Sequence, residues 1–468
     1  MNTSHSNKDR FEIGGEDLLA LSGQQNADST SDSESQGNAD HKRAEALDDN
    51  RVRIGTLLKT ETVSLLLGAG ASVECGGPLI GSVPSDIELA LLGAGIRETD
   101  SRVVEQWLYA FYQAVRHCGN ESSAPTTRDE VLARKDALNA DHPKPLQANF
   151  ERVLATLHRW RSALPENGGG LKIYEVSPPV DVKAEDLDKA LQHATRALAC
   201  ACKLPLAGKE SGHASYKILV RKLLTRPLNL KRVNVFTLNY DTLVEQAADA
   251  EGVVLLDGFV GTQRRVFRPE SYEQDLYFPA ETTEGRVHRF DRVLHLYKLH
   301  GSITWRANQP TIENPYGVQA EPFDPAGSKP LLIYPTPAKY GETLGLPYSE
   351  LFRRFAAALV RPQSVLFVIG YGFGDEHVNA IIRQALAVPS FTLVIVDPSP
   401  KSDFVKTLRE QRDRRIWIVE GPSIGTLSGF VSTILPDLQD EEIRKKVLAT
   451  HRALAKDSLS SGGPTNGD

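Results

Sequence analysis

The feature that most constrains this chain is a series of short apolar runs, each ending abruptly in glycine or in a polar residue. The first is Val63-Ser-Leu-Leu-Leu-Gly-Ala-Gly-Ala-Ser72. An apolar run without alternation reads as a strand buried on both faces, the signature of a parallel sheet. Gly68 and Gly70 let the backbone turn sharply and approach a ligand with no Cβ in the way. Amides beyond such a turn face an anion, ordinarily a phosphate. The spacing falls short of G-x-G-x-x-G, so the weight of the argument rests on the runs that follow.

Those runs are Arg232–Leu238, ending at Asn239-Tyr-Asp241, and Val293–Leu299, running into His300-Gly301-Ser302. Leu331–Tyr334 is closed by Pro335-Thr-Pro337, and Ser364–Ile369 by Gly370-Tyr-Gly-Phe-Gly-Asp375. Phe391–Val396 ends at Asp397-Pro398, and Arg415–Val419 is the last. Helical patterns lie between them: one after Pro84, with Ser85 or Asp86 able to cap it, then Thr242–Ala248, Ser349–Val360, His377–Leu386 and Phe404–Gln411. Strands alternating with helices predict an α/β fold, a doubly wound parallel sheet.

The stretch 100–230 departs from this rhythm. Trp107, Leu108 and Phe111, then Phe150, Val153, Leu154, Leu157 and Trp160, recur at helical spacing. Asn167-Gly-Gly-Gly170 and Ser177-Pro-Pro179 punctuate it. It reads as a large α-helical insertion dividing the sheet domain into 49–99 and 231–455. Residues 1–48 are rich in Ser, Asn, Asp, Gly and Gln and read as a disordered tail, as does 456–468. Residues 307–330 hold five prolines and read as loop.

Composition excludes some functions. The net charge of −6 argues against a broadly basic nucleic-acid surface. An arginine-rich segment (Arg264, Arg265, Arg268, Arg286, Arg289 and Arg292) is interrupted by Glu270, Glu273, Asp275, Glu281 and Glu284, which favours a solvated face over direct nucleic-acid binding. No apolar run approaches the ~20 residues of a membrane span, and the polar N-terminus has no secretory apolar segment. The expected location is cytoplasmic. Cys75, Cys118, Cys200 and Cys202 form no C-x-x-C pair and read as reduced, buried thiols. No zinc is expected.

In a doubly wound sheet, residues at the carboxyl ends of the strands converge on one crevice. Here those ends carry Gly68, Ala69, Gly70 and Ser72, then Asn239 and Asp241, His300, Gly370, Tyr371 and Gly372, and Asp397. Taken singly, each has an ordinary structural use: a tight turn, a helix cap, a satisfied core histidine, an Asp-Pro turn. Asp375 reads as the cap of the helix after it, and Tyr371 and Phe373 as wall residues. A histidine placed after a strand and before glycine also suits a general base near neutral pH. Asp397 suits a ribose-hydroxyl contact.

The ordered set resembles the sirtuin-like (Sir2-type) NAD-binding family, with its G-A-G-x-S turn, N-x-D, L-H-G and late G-x-G. The likeness spans about 55–95 and 232–420. It implies a Rossmann-like sheet and NAD as substrate. It also implies that Asn239 holds water or the ribose, that Asp241 fixes the loop or contacts the ribose, and that His300 is the working histidine. Two departures narrow the reading. Protein-deacylating sirtuins carry a four-cysteine zinc module that this sequence lacks, and Asn239 and His300 lie 61 positions apart (300 − 239). The chain therefore resembles the zinc-free proteins of bacterial anti-phage defence. That likeness implies hydrolysis of NAD+ to nicotinamide and ADP-ribose, a homo-oligomer and a HerA-like hexameric ATPase partner. The competing readings are an NAD-dependent protein deacylase and a non-catalytic module sensing NAD or ADP-ribose.

Overall fold

The main sheet owes its order to strands whose two faces are both covered. A computed structural model describes residues 8–20, 32–96, 103–119, 123–140, 144–165, 170–173, 180–204, 210–278, 288–325, 330–332 and 346–460. Its strands are β1 (Arg10–Ile13), β2 (Glu16–Asp17), β3 (Thr62–Leu67), β4 (Asn234–Thr237), β5 (Val254–Leu256), β6 (Val293–Lys298), β7 (Ser364–Ile369), β8 (Thr392–Asp397) and β9 (Ile416–Glu420). They lie in the order β2-β1-β9-β8-β7-β3-β4-β6-β5. From β9 to β5 all neighbours are parallel, while β1 is antiparallel to β9 and to β2. Along β3, Val63, Leu65 and Leu67 enter one core and Leu66 the other. Both faces are dry, which is why these runs show no polar alternation.

The chain crosses from β3 to β4, β5 and β6 on one side, and later builds β7, β8 and β9 on the other. The strand order therefore reverses between β3 and β7, where an open α/β sheet leaves its ligand crevice.

Helices flank the sheet and form a separate layer. They are α1 (Asp32–Leu57), α2 (Ser85–Gly95), α3 (Gln106–Gly119), α4 (Arg128–Asn139), α5 (Phe150–Ser162), α6 (Ala184–Ala201), α7 (Glu210–Leu223), α8 (Leu243–Glu251), α9 (Tyr348–Leu359), α10 (Glu376–Leu386), α11 (Asp403–Glu410) and α12 (Glu441–Ser460). Helices α2 to α6 share their own apolar core, with Leu91, Phe111, Phe150 and Leu187 at full or nearly full burial. The buried residues of this core run from Val83 to Cys202 and are joined by Tyr240, Ile303 and Leu332. Helix α2 turns Ile87 and Leu91 into it, whereas α7 places Tyr216, Leu219 and Val220 under the sheet. Sequence periodicity shows that a face is apolar but not which neighbour covers it.

The tail expected at 1–48 contains ordered structure. Strand β1 extends the sheet beside β9, Phe11 has no exposed surface, and buried Glu12 pairs with Arg409 at 2.8 Å. A four-residue edge strand is too short to register in a composition dominated by Ser, Asp and Asn. Helix α1 covers the end of that stretch, and α12 extends past 456. The turns predicted at 167–169, 177–179 and 335–337 lie outside the described residues, as do Arg286, Glu281 and Glu284.

A five-stranded antiparallel sheet joins Gly301–Ala307 to Pro330–Leu332 and Val318–Ala320, and through Arg265–Phe267 to Phe259–Val260. Val318–Ala320 is thus a strand within the proline-rich stretch read as loop. The arginines of this region hold it together. Arg232 and Arg289 converge on Asp275 at 2.8 and 2.6 Å, and Arg289 also donates to the Leu228 and Leu230 carbonyls. Arg265 pairs with Asp257, and Arg268 donates to the Glu313 carbonyl.

Candidate active site

At the strand reversal, the turns after β3 and β7 pack backbone against backbone. The register pairs Leu67 with Ile369, so the next residues face each other. The Gly68 amide donates to the Ile369 carbonyl (3.0 Å) and the Gly70 amide to the Gly370 carbonyl (2.8 Å). A Cβ on Gly68 would lie 2.6 Å from the Gly370 oxygen, and one on Gly370 (φ +64°) only 2.2 Å from the Ala71 nitrogen. These glycines are required by each other before any ligand arrives. At Gly372, by contrast, a Cβ would meet nothing within 4 Å, so this glycine borders open space. Beyond Gly68 the chain enters a short 3-10 helix, Ala69–Cys75, and the next α-helix starts only at Ser85. Pro84 occupies its N-cap position with no side-chain cap, so neither Ser85 nor Asp86 plays the expected role.

Ser72, in that 3-10 helix, is the hub of the polar network. Its hydroxyl donates to Asp241 Oδ2 (2.7 Å), accepts from Asn239 Nδ2 (2.9 Å), and lies 3.1 Å from the Tyr216 hydroxyl. Asn239 Nδ2 also donates to the Gly68 carbonyl (2.9 Å). A carbonyl can only accept, so the amide orientation is fixed and both N–H bonds are spent inside the protein. Oδ1 is then the atom Asn239 offers to a ligand. Burial and nearby Asp241 push the Tyr216 phenol well above its ordinary range, which keeps it a proton carrier in this network.

Asp241 is buried, and its second oxygen accepts the Leu243 amide (3.1 Å), capping the turn into α8. Lys298, the last residue of β6, donates to the Asp241 carbonyl and to Glu245 Oε1 (2.9 Å). Burial raises the Glu245 carboxyl, and Lys298 opposes that rise. The sequence reading missed Lys298, although a lysine inside the apolar run Val293–Leu299 was a visible signal.

His300 follows directly. Its Nε2 lies 3.2 Å from Asp375 Oδ2, with both side chains almost fully buried. The Tyr240 and Phe352 rings flank the imidazole, with centroids 6.5 and 6.2 Å away. Asp375 does cap α10, accepting the His377 amide at 3.0 Å, but its other oxygen meets His300. Tyr371 lines the cleft and braces this loop, its hydroxyl accepting the Asp375 amide (3.0 Å) and donating to the Asp375 carbonyl. Phe373 is not a wall residue: it stacks on Phe404 in the core.

Asp397 closes β8 at the cleft edge and accepts the Ser399 amide at 2.7 Å. Burial raises its carboxyl, the Ser399 amide opposes this, and the charge of Glu420 adds to the rise.

The eleven residues that the sequence places at the strand ends line one cavity of about 590 Å³, within the ~300–1,000 Å³ typical of small-molecule sites. The helical layer also lines it, with Asn149, Glu151 and Arg152 at the start of α5 and Leu198 and Cys202 at the end of α6. The Tyr240 hydroxyl lies 3.4 Å from Glu151 Oε1, joining that wall to the Asn239–Asp241 turn. Sequence analysis gave no role to this wall. Asn149, which caps α5, was its one local signal. Of the cysteines, Cys75 and Cys202 are buried, while Cys200 is exposed. Among the described residues no group of three or more His, Cys, Asp or Glu is arranged to hold a metal ion, and no helix is long and apolar enough to cross a membrane.

No curated protein matches the chain. Residues 233–418, which run from the start of β4 into β9, match the family described as SIR2-like domain. That match supports a sirtuin-like, NAD-binding α/β domain from β4 into β9, and the cleft lies where the strand order reverses.

Proposed function

We propose that the chain is an NAD+ hydrolase that cleaves the nicotinamide–ribose bond to give nicotinamide and ADP-ribose. The observation that carries this reading is the convergence of Asn239 and His300 on one cleft that α5 and α6 also line. As the bond from ribose C1′ to nicotinamide breaks, its electron pair leaves with the ring, which departs as neutral nicotinamide. Positive charge builds on the sugar, and the carbonyl oxygen of a fixed amide, Asn239 Oδ1, stabilises it. A water oxygen bonds to C1′ and gives its proton to His300. In this reading the dinucleotide passes close to backbone at Gly372, where a Cβ would meet open space, and Asp397, at the cleft edge, accepts from ribose hydroxyls.

The test is nicotinamide and ADP-ribose release from NAD by purified protein with no acylated peptide. Release that depends on an acyl-lysine peptide would transfer the chain to the deacylase reading. NAD binding without release, under every condition tried, would make it a sensing module. We further assign the activity to bacterial anti-phage defence, where NAD depletion halts an infected cell. Unrestrained turnover would be lethal, so control through a homo-oligomer and a HerA-like hexameric ATPase fits the activity. Size-exclusion chromatography that returns only a monomer, alone and with the ATPase, contradicts that assembly.

A further inference from the structure

The His300–Asp375 contact has no part in the sequence reading, which gave Asp375 only a helix cap. We propose that Asp375 is the positioning residue of His300, fixing the ring and its tautomer for proton transfer. This assignment deepens the hydrolase reading and rests on it.

Asp375 Oδ2 lies 3.2 Å from His300 Nε2, and the side chains retain only 8% and 4% exposure. A carboxylate only accepts, so the Nε2 that faces it carries the hydrogen, and Nδ1 is left with the lone pair that takes a proton. The same carboxylate then stabilises the imidazolium once the proton has arrived. A buried acid behind a histidine serves this purpose in hydrolases of unrelated fold.

The carboxylate and the loop that carries it are themselves held in place. Oδ1 accepts the His377 amide at 3.0 Å, and the Tyr371 hydroxyl takes the Asp375 amide at 3.0 Å while donating to its carbonyl. Asn379 Nδ2 ties the loop at the Phe373 carbonyl (2.9 Å). Phe352 lies against both His300 and His377, its ring centroid 6.2 and 4.6 Å from theirs. A cap alone would need one oxygen and no burial. Here the second oxygen faces the working histidine.

Two substitutions separate the roles. Asp375→Ser retains an N-cap oxygen but is too short to reach the imidazole. Asp375→Ala loses cap and partner together. Full-length protein with 15N-labelled histidine reports the His300 tautomer, assigned by the signals lost in His300→Gln, without any need for turnover. Asp375→Ser is expected to keep the melting temperature and NAD affinity of wild type. It should shift His300 from the Nε2–H form to a mixture of tautomers and lower kcat about 100-fold or more. Should wild type release no nicotinamide while the tautomer still shifts, the positioning role stands and the hydrolase reading falls. An unchanged tautomer overturns the proposal, as does an unchanged kcat in a variant whose tautomer has moved. Loss of stability in Asp375→Ala, with neither change in Asp375→Ser, reduces Asp375 to a cap and also overturns it.

Discussion

At the scale of single residues, the glycines of the cleft divide into two kinds, and substitution tells them apart. Gly370 sits at φ +64° with a Cβ position 2.2 Å from the Ala71 nitrogen. Gly370→Ala is expected to destabilise the fold by about 3 kcal/mol or more, because backbone must move. Gly372→Ala should leave the melting temperature unchanged and weaken NAD binding roughly tenfold, read by calorimetry. Equal stability losses in both variants would deny Gly372 a ligand role. Asp397 gives a pH test. Burial raises its carboxyl above the ordinary 3.8, so its ionisation opposes folding as pH rises through the raised value. Asp397→Asn should therefore melt at or above wild type at neutral pH, with the gap closing as pH falls below 4. Its NAD affinity should fall. A variant less stable than wild type at neutral pH contradicts this reading. These residues were legible in the sequence because parallel strands and their closing turns are local patterns. The second role of Asp375 was not, since a cap and an ion pair leave the same local signature.

At the scale of elements, the short edge strand β1 is the clearest departure from expectation. It pairs with β9 about 400 residues away, as in Phe11 with Val419. No window of local sequence holds both partners. Phe11 is fully buried on this strand, so Phe11→Ala should lower the unfolding free energy by about 3–5 kcal/mol in denaturant titration. It should also promote self-association, because β9 would present an unpaired edge. A surface-like change within ~0.5 kcal/mol would return residues 8–20 to the status of a tail. The helical layer shows the same limit of local reading. Its existence followed from the spacing of residues such as Trp107 and Phe150, but its limits, and the wall it lends to the cleft, depend on long-range packing.

At the scale of the whole molecule, a parallel sheet and a helical layer meet over one cleft. The sheet supplies the Ser72–Asn239–Asp241 network and the His300–Asp375 pair. The layer adds Asn149, Glu151 and Arg152 to the lining of the same cleft. Sequence order alone placed the strand ends in one crevice, because a doubly wound topology leaves few alternatives. It did not show which parts of 100–230 would face them. The most direct measurement of the central claim is nicotinamide release from NAD by wild type beside His300→Ala and Asn239→Ala, each first shown to be folded. Wild type is expected to release nicotinamide without an acylated peptide, and each variant to fall by about 100-fold or more. Wild-type rates in either folded variant would contradict it, and the cleft would lose its claim to the chemistry.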